Sequence, residues 1–323
     1  AVFLAQAIHA GHSLEPLTDL WLENADVSEL TDPEAEPMWR YAKLWAQPIA
    51  EWFLSRPGNA VSATVSPETR EEVRAKVSRL VRGRWFSPPF SGSRFSAMLF
   101  EALVKMEADG DGIPLLPAGY PVDLVVTATD FRGHPETLRL NSPPQVDETE
   151  HRLPITFRAR VGEGRNLADR LELVLAARAT ASFPGAFPPL TLAEIDDLAA
   201  AEGHHWANRG GFLSRTMPTH VARGTIGNVA LIDGAVLVNA PFGAALAALH
   251  GRPAQREVDR RFVYLDPRPD GSGPMPGTRN RDIGFFGAIF GSLSTIPREQ
   301  PIRDDLERIE LQSRDAARLK RIV

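Results

Sequence analysis

The sequence contains no cysteine among its 323 residues. Disulfide bonds, thiolate metal sites and a cysteine nucleophile are therefore excluded from this chain. Lysine is also rare, so nearly all basic residues are arginine. The formal net charge is -5. We expect no nucleic-acid partner, since proteins of that class usually carry a clear basic excess.

Long apolar runs are missing as well. No uninterrupted apolar segment approaches the roughly 20 residues that a transmembrane helix needs. The first residues, AVFLAQAIHAG, are apolar but lack the basic flank and the cleavage pattern of a signal peptide. The apolar fraction of 43% and the charged fraction of 24% are ordinary for a globular protein. We expect a cytoplasmic protein, and peripheral contact with a membrane stays open.

Helical and extended patterns alternate along the rest of the chain. Apolar spacing predicts mainly helices over residues 1–110, and the apolar run at 121–133 predicts a strand covered on both faces. The alternating segments 134–141 and 151–160 predict an antiparallel excursion. Helices are then expected within 166–190, 190–210 and 305–323, a loop before residue 230, and strands at 230–238 and 258–265. Strands alternating with helices indicate an α/β protein.

One carboxylate is oddly placed in the segment ALIDGAVLVNAPFGAALAALHG. Asp233 lies between aliphatic residues of a predicted strand, and a buried carboxylate is costly unless it has a partner. An Asp-Gly pair is also a common turn, so a structural role is the alternative for Asp233.

Three segments carry a resemblance when they are read together. They are DLVVTATDFRGH (Asp123–His134), AARATASFPGAFPPL (Ala176–Leu190) and LIDGAVLVNAP (Leu231–Pro241). In this order and spacing they resemble the patatin-like phospholipase family. The later segments DRRFVYLDPRP and STIPREQPIRDDLERI are similar to the larger bacterial patatin-related proteins, which carry a helical C-terminal extension.

The resemblance implies an architecture. We expect an α/β protein with a three-layer α/β/α patatin-like fold, a mainly parallel sheet and added helices. The patatin-like domain is expected to span 1–269, with a helical insertion at about 12–110, and the C-terminal helical extension to span 270–323.

The resemblance also implies a chemistry. The family hydrolyses lipid esters with a Ser-Asp dyad, and Asp233 occupies the position of the dyad Asp. Gly234, Ala235 and Asn239 support that motif, although Asn239 is equally explained by a bond to loop backbone. The implied substrate is a lipid or acyl ester, with no cofactor and no metal. A serine becomes an effective nucleophile only when a base accepts its proton, which is the role of such an Asp.

The sequence differs from the family pattern at the nucleophile motif. No Gly-x-Ser-x-Gly occurs in the chain, and Ser93 and Ser292 lack the strand-then-helix context of a nucleophile elbow. The opening residues resemble the helix that follows that elbow in the family. We therefore expect the serine, the oxyanion loop and the first strand upstream of Ala1, and this chain by itself to be inactive.

Several alternatives stay open. Thr180 and Ser182 stand where the family usually has hydroxyls, yet packing at a helix end explains them equally. His204 and His205 are expected at a solvated helix end rather than at a metal, and His250 is explained as a cation at a helix C-terminus. The competing function is a non-catalytic patatin-fold scaffold or membrane-interaction module.

Overall fold

The structure is a computed structural model, and it describes residues 1–18, 90–108, 112–139, 144–238, 241–252, 258–263, 265 and part of 307–318. The chain divides into two compact units, Ala1–Gly234 and Ala235–Val323. The helices are α1 (Val2–Ala10), α2 (Gly92–Ala108), α3 (Arg170–Thr180), α4 (Leu192–Ala201), α5 (Arg209–Thr216), α6 (Pro218–Ala222) and α7 (Phe242–His250). The strands are β1 (Pro121–Arg139), β2 (Gln145–Arg160) and β3 (Leu231–Asp233), and two 3-10 turns lie at Ile226–Asn228 and Gly234–Val236.

A long antiparallel hairpin of β1 and β2 dominates the described sheet. The pairing runs from Pro121 opposite Arg160 to Arg139 opposite Gln145. The predicted antiparallel pairing in this region is confirmed, but segment 134–139 pairs with 145–150, and 152–160 pairs with 121–129. Along the first half of β1 every second side chain is buried and those between are half-buried. One face of this half therefore lies in the core, and its other face is only partly covered.

The described sheet has three strands in the order β2-β1-β3. The short strand β3 also pairs antiparallel with β1, with Asp233 opposite Ala128. The predicted mainly parallel sheet is therefore not confirmed, because every strand pair among the described residues is antiparallel. A hairpin connection allows only antiparallel pairing, and this hairpin supplies most of the described sheet.

A bulge divides β1 into two halves. Thr129 lies opposite Arg152, but the next pair is His134 opposite Glu150, so residues 130–133 face a single residue of β2. Gly133 lies in this bulge with φ +72°. A Cβ there would be 2.4 Å from the Thr149 methyl carbon, so both the conformation and the space require glycine.

Helix α3 runs through the core. Asp169 caps its start by accepting a hydrogen bond from the Leu171 N–H at 2.8 Å, and Leu171 and Leu175 are completely buried. The helix packs against β1, β3, α1, α2 and α4. A helix was predicted here, and the Pro/Gly loop that follows it begins after Thr180 as expected.

Other predicted elements have mixed outcomes. The loop expected before residue 230 is wrong, because α5 and α6 occupy it, with Phe212 of α5 buried and Pro218 starting α6. The strand expected at 258–265 is also wrong for residues 258–263 and 265, which have no regular structure. The helix expected near residue 100 is confirmed as α2. Residues 19–89 of the predicted insertion and the predicted boundary near 270 lie outside the described residues.

Replacement of Leu171 by alanine should lower the free energy of unfolding by about 2 to 5 kcal/mol, because the side chain is fully buried. Leu4→Ala is the matched control, since Leu4 is 46% exposed on α1 and its loss should matter by less than about 0.5 kcal/mol. Urea denaturation of both variants measures the difference. Equal shifts would contradict the burial assigned to α3.

Candidate active site

Asp233 closes strand β3, and its backbone is held from both sides. Its N–H donates to the Ser182 carbonyl at 3.0 Å, and its carbonyl accepts from the Thr129 hydroxyl at 3.1 Å. The residue is half-buried. The carboxylate therefore projects from a fixed point at the end of a strand.

The next residue could only be glycine. Gly234 is buried, and a Cβ built on it would lie 2.2 Å from the Thr127 carbonyl oxygen of β1. Backbone atoms cannot yield as a flexible side chain would, so β1 and the turn after β3 approach closely only without a side chain. Ala235 follows half-buried within the 3-10 turn, and Asn239 lies outside the described residues.

The loop after α3 covers the other edge of β3. Leu190 and Leu231 exchange two backbone hydrogen bonds of 2.8 Å each, N–H to carbonyl in both directions. With the Ser182 bond to Asp233, this loop supplies three backbone hydrogen bonds to a strand of three residues. The sequence segments that carry the resemblance are thus adjacent in space.

A buried arginine holds that loop in place. The Arg178 guanidinium donates to Glu194 at 3.1 Å, to the Pro188 carbonyl at 2.9 Å and to the Ser182 hydroxyl. It also lies 5.3 Å from the centre of the Phe187 ring. Burial lowers the pKa of Arg178, and Glu194 opposes that effect. The cation is therefore fully satisfied inside the core, where an unpaired charge would be very costly.

Arg178 lies within the segment Ala176–Leu190, but the sequence pattern alone does not single it out. The available signal is a lone guanidinium between alanines in the otherwise apolar stretch 173–179 of the helix. Such a residue needs acceptors from neighbouring segments, and the Pro-rich loop just after the helix is the nearest source of free carbonyls.

The hydroxyl candidates have structural roles. The Ser182 hydroxyl is completely buried and donates back to the Arg178 carbonyl at 2.7 Å. Thr180 is the last residue of α3. Ser93 lies in the first turn of α2, 3.1 Å from the Ser91 hydroxyl, and Ser292 lies outside the described residues.

The histidine candidates separate into two kinds. His204 lies 3.0 Å from Asp169 with both side chains about a quarter exposed, and neither belongs to a group of three metal-binding side chains in the described part of the chain. His205 is exposed. His250 is the last residue of α7, and its side chain lies outside the described residues.

One cluster was missed by sequence reasoning, which expected no metal site. Asp130, His134 and His220 bring one ligand atom each to within 4.8 Å of one another. His220 is 90 positions from Asp130 and lies on α6, where a loop had been predicted. Their proximity also needs the bulge in β1, so no local spacing in the sequence could have indicated it.

Comparison with known proteins decides the family. The family model described as patatin-like phospholipase matches residues 2–246. The chain belongs to the patatin-like phospholipase family. Membership implies an α/β fold. The three segments that carry the resemblance all lie within the match.

Relatives outside the family model add little about the whole protein. An uncharacterized membrane protein of Mycobacterium tuberculosis, Rv3479, is 30% identical over 160 residues, which is 46% of this chain and 14% of that protein. This patatin-like chain thus corresponds to a small part of that relative. No solved structure is significantly similar to the present chain. Among the described residues, no helix is both long enough and apolar enough to cross a membrane.

Arg178→Met should lower the free energy of unfolding by about 3 to 5 kcal/mol, because Glu194 and the loop acceptors lose a buried donor. Arg209→Met is the matched control. Arg209 binds Asp196 at 2.7 Å, but both side chains are more than one-third exposed, so the loss should stay below about 1 kcal/mol. Denaturant titrations compare the two, and similar losses would contradict the role assigned to Arg178.

Gly234→Ala should destabilise the protein by about 1 to 3 kcal/mol, because the added methyl meets backbone atoms of β1. Gly227→Ala has open space around its Cβ and should change stability by less than about 0.5 kcal/mol. Thermal melts of both variants test the close approach. A neutral Gly234→Ala variant would show that β1 and the turn are farther apart.

Proposed function

We propose that the protein is a serine acyl hydrolase that cleaves lipid esters through an acyl-enzyme, with Asp233 as the base of a Ser-Asp dyad. The observation that supports this most strongly is the rigid placement of Asp233. Its backbone is bonded to Ser182 on one side and Thr129 on the other. A general base must hold one orientation relative to the proton that it accepts.

The first half of the proposed reaction forms the acyl-enzyme. The serine hydroxyl attacks the ester carbonyl, and its proton passes to the Asp233 carboxylate. The tetrahedral intermediate carries a negative charge on the former carbonyl oxygen, which backbone N–H donors of a Gly-rich loop would stabilise. Collapse of the intermediate breaks the ester C–O bond, and the leaving alkoxide takes the proton from Asp233.

The second half returns the enzyme to its starting state. Water attacks the acyl-serine carbonyl and gives a proton to Asp233, and collapse releases the fatty acid. The serine oxygen leaves with the proton held by Asp233. The same carboxylate thus accepts and donates one proton in each half, which requires it to stay in place through the cycle.

The surroundings of Asp233 suit this role. Gly234 allows the chain to turn immediately after the carboxylate, beside the Thr127 carbonyl. Arg178 acts at a distance by holding the loop that binds β3, so we describe it as a positioning residue. The serine motif that the proposal requires does not occur in these 323 residues. The experiments below therefore use the protein together with the upstream segment in which the serine is expected, and we call this form the intact protein.

Asp233→Asn in the intact protein should lower ester turnover by about 10²- to 10⁴-fold, which is the usual contribution of a general base. It should also abolish covalent labelling by a fluorophosphonate probe. Asp196→Asn is the matched control, because Asp196 forms only an exposed ion pair with Arg209 and should keep wild-type turnover and labelling. The present chain alone should not be labelled.

The competing proposal is a non-catalytic scaffold or membrane-interaction module. It predicts that the intact protein binds phospholipid vesicles, shows no ester turnover and takes up no fluorophosphonate. Full activity of a folded Asp233→Asn variant would instead reject Asp233 as the base while leaving a hydrolase in place.

A further inference from the structure

A second polar cluster is centred on Asp130 of β1, two residues beyond Ala128, which lies opposite Asp233 in the sheet. Asp130 is completely buried in the bulge, and its Oδ2 is 2.9 Å from His220 Nε2 and 3.5 Å from His134 Nδ1. The two imidazole rings meet edge to face with centres 5.5 Å apart. One carboxylate oxygen is thus approached by two histidine nitrogens.

Each ring nitrogen of His220 lies beside one oxygen atom, Nδ1 beside the Thr225 hydroxyl and Nε2 beside the Asp130 carboxylate. The Thr225 hydroxyl oxygen lies 3.0 Å from His220 Nδ1. The same hydroxyl can donate a long hydrogen bond of 3.5 Å to the His220 carbonyl. In the tautomer with the proton on Nδ1, that nitrogen donates to the Thr225 hydroxyl, and this is the tautomer that leaves Nε2 free to bind a metal ion. Nε2 then directs a lone pair at the Asp130 oxygen, and two such acceptors at 2.9 Å need a cation between them.

The position of His134 distinguishes between a proton and a metal ion as the cation between His220 and Asp130. A proton shared by His220 and Asp130 would satisfy those two residues only. His134 Nδ1 is buried and has no hydrogen-bond partner among the described residues, and a buried polar atom without a partner is costly. A metal ion would engage all three atoms at once.

The distances fit a small divalent metal. Donor atoms bonded to such an ion at about 2.1 Å lie roughly 3.0 to 3.4 Å apart in octahedral or tetrahedral geometry. The two separations that involve Asp130, 2.9 and 3.5 Å, lie at the two limits of that range, and the two histidine nitrogens lie within 4.8 Å of each other. Two imidazoles and one carboxylate are also a common ligand set for zinc and non-haem iron.

The supporting contacts match those of known metal sites. A metal-binding histidine usually donates from its second nitrogen to a neighbouring oxygen, and the Thr225 hydroxyl oxygen lies 3.0 Å from His220 Nδ1, in position to accept such a bond. The remaining Asp130 oxygen accepts from the Arg132 N–H at 3.2 Å. His151 Nδ1 donates to the Asp130 carbonyl at 2.7 Å, which fixes the bulge that carries both ligands of β1.

We propose that Asp130, His134 and His220 form a binding site for one divalent transition-metal ion of the zinc class. The ion would tie the bulge of β1 to helix α6, on the strand that pairs with Asp233. Metal binding is measured directly and does not depend on the acyl-transfer proposal, so either can fail alone.

The test uses the intact protein after treatment with a chelator. Zn²⁺ is titrated calorimetrically, and Co²⁺ is titrated by visible absorption, which reports imidazole and carboxylate ligation. We expect one high-affinity ion per chain. His220→Asn and His134→Asn should each weaken binding by at least about 100-fold, more than the 10- to 100-fold typical of a lost outer contact such as that removed by Thr225→Val.

His204→Asn is the matched control, because His204 also faces a carboxylate at 3.0 Å but has no third metal-binding side chain beside it in the part of the chain that the structure describes. Its metal stoichiometry and affinity should equal those of wild type. His134 is 15% exposed, so His134→Asn is the variant that keeps its fold, and circular dichroism verifies this. The proposal is overturned if wild type binds no ion more tightly than folded His134→Asn, which would leave a proton between His220 and Asp130.

Discussion

The buried guanidinium of Arg178 is the interaction on which the arrangement around Asp233 depends. Strand β3 has only three residues and could not persist as an isolated strand. It is held because β1 lies on one edge and the loop after α3 lies on the other. That loop keeps its shape because Arg178 binds its carbonyl and hydroxyl groups from inside the core. The buried cation of Arg178 thus fixes the backbone of the loop after α3, and through that loop it holds strand β3.

Local patterns explain why parts of this fold could be predicted from the sequence. The apolar spacing of α3, the Pro/Gly residues after it and the Asp233-Gly234 turn are all short-range signals. The antiparallel hairpin was also predictable, because its alternating segments are close in the chain. Helices α5 and α6 were missed because Gly210, Gly211 and Pro218 lie in them, and these residues usually mark loops.

Long-range features were beyond the reach of such patterns. The sheet direction depends on pairing between distant segments, and family resemblance led to the expectation of a mainly parallel sheet that the described strands do not confirm. Arg178 was visible in its motif, but its acceptors are set by the path of the loop. The cluster of Asp130, His134 and His220 needs a bulge and a contact across 90 positions. Residues of this kind can be assigned only after the chain is folded.

The bulge in β1 has a consequence for local stability. Before it, buried and half-buried side chains alternate along β1, which pairs with β2 throughout and with β3 at Ala128–Asp130. Beyond it, the paired segments 134–139 and 145–150 are mostly exposed, and within the described sheet each has only the other as a hydrogen-bond partner. Amide protons in the outer half can exchange with solvent when the hairpin tip opens, whereas those at Leu124 and Val126 exchange only when the core unfolds. One continuous strand therefore spans two levels of protection, and the bulge marks the boundary between them.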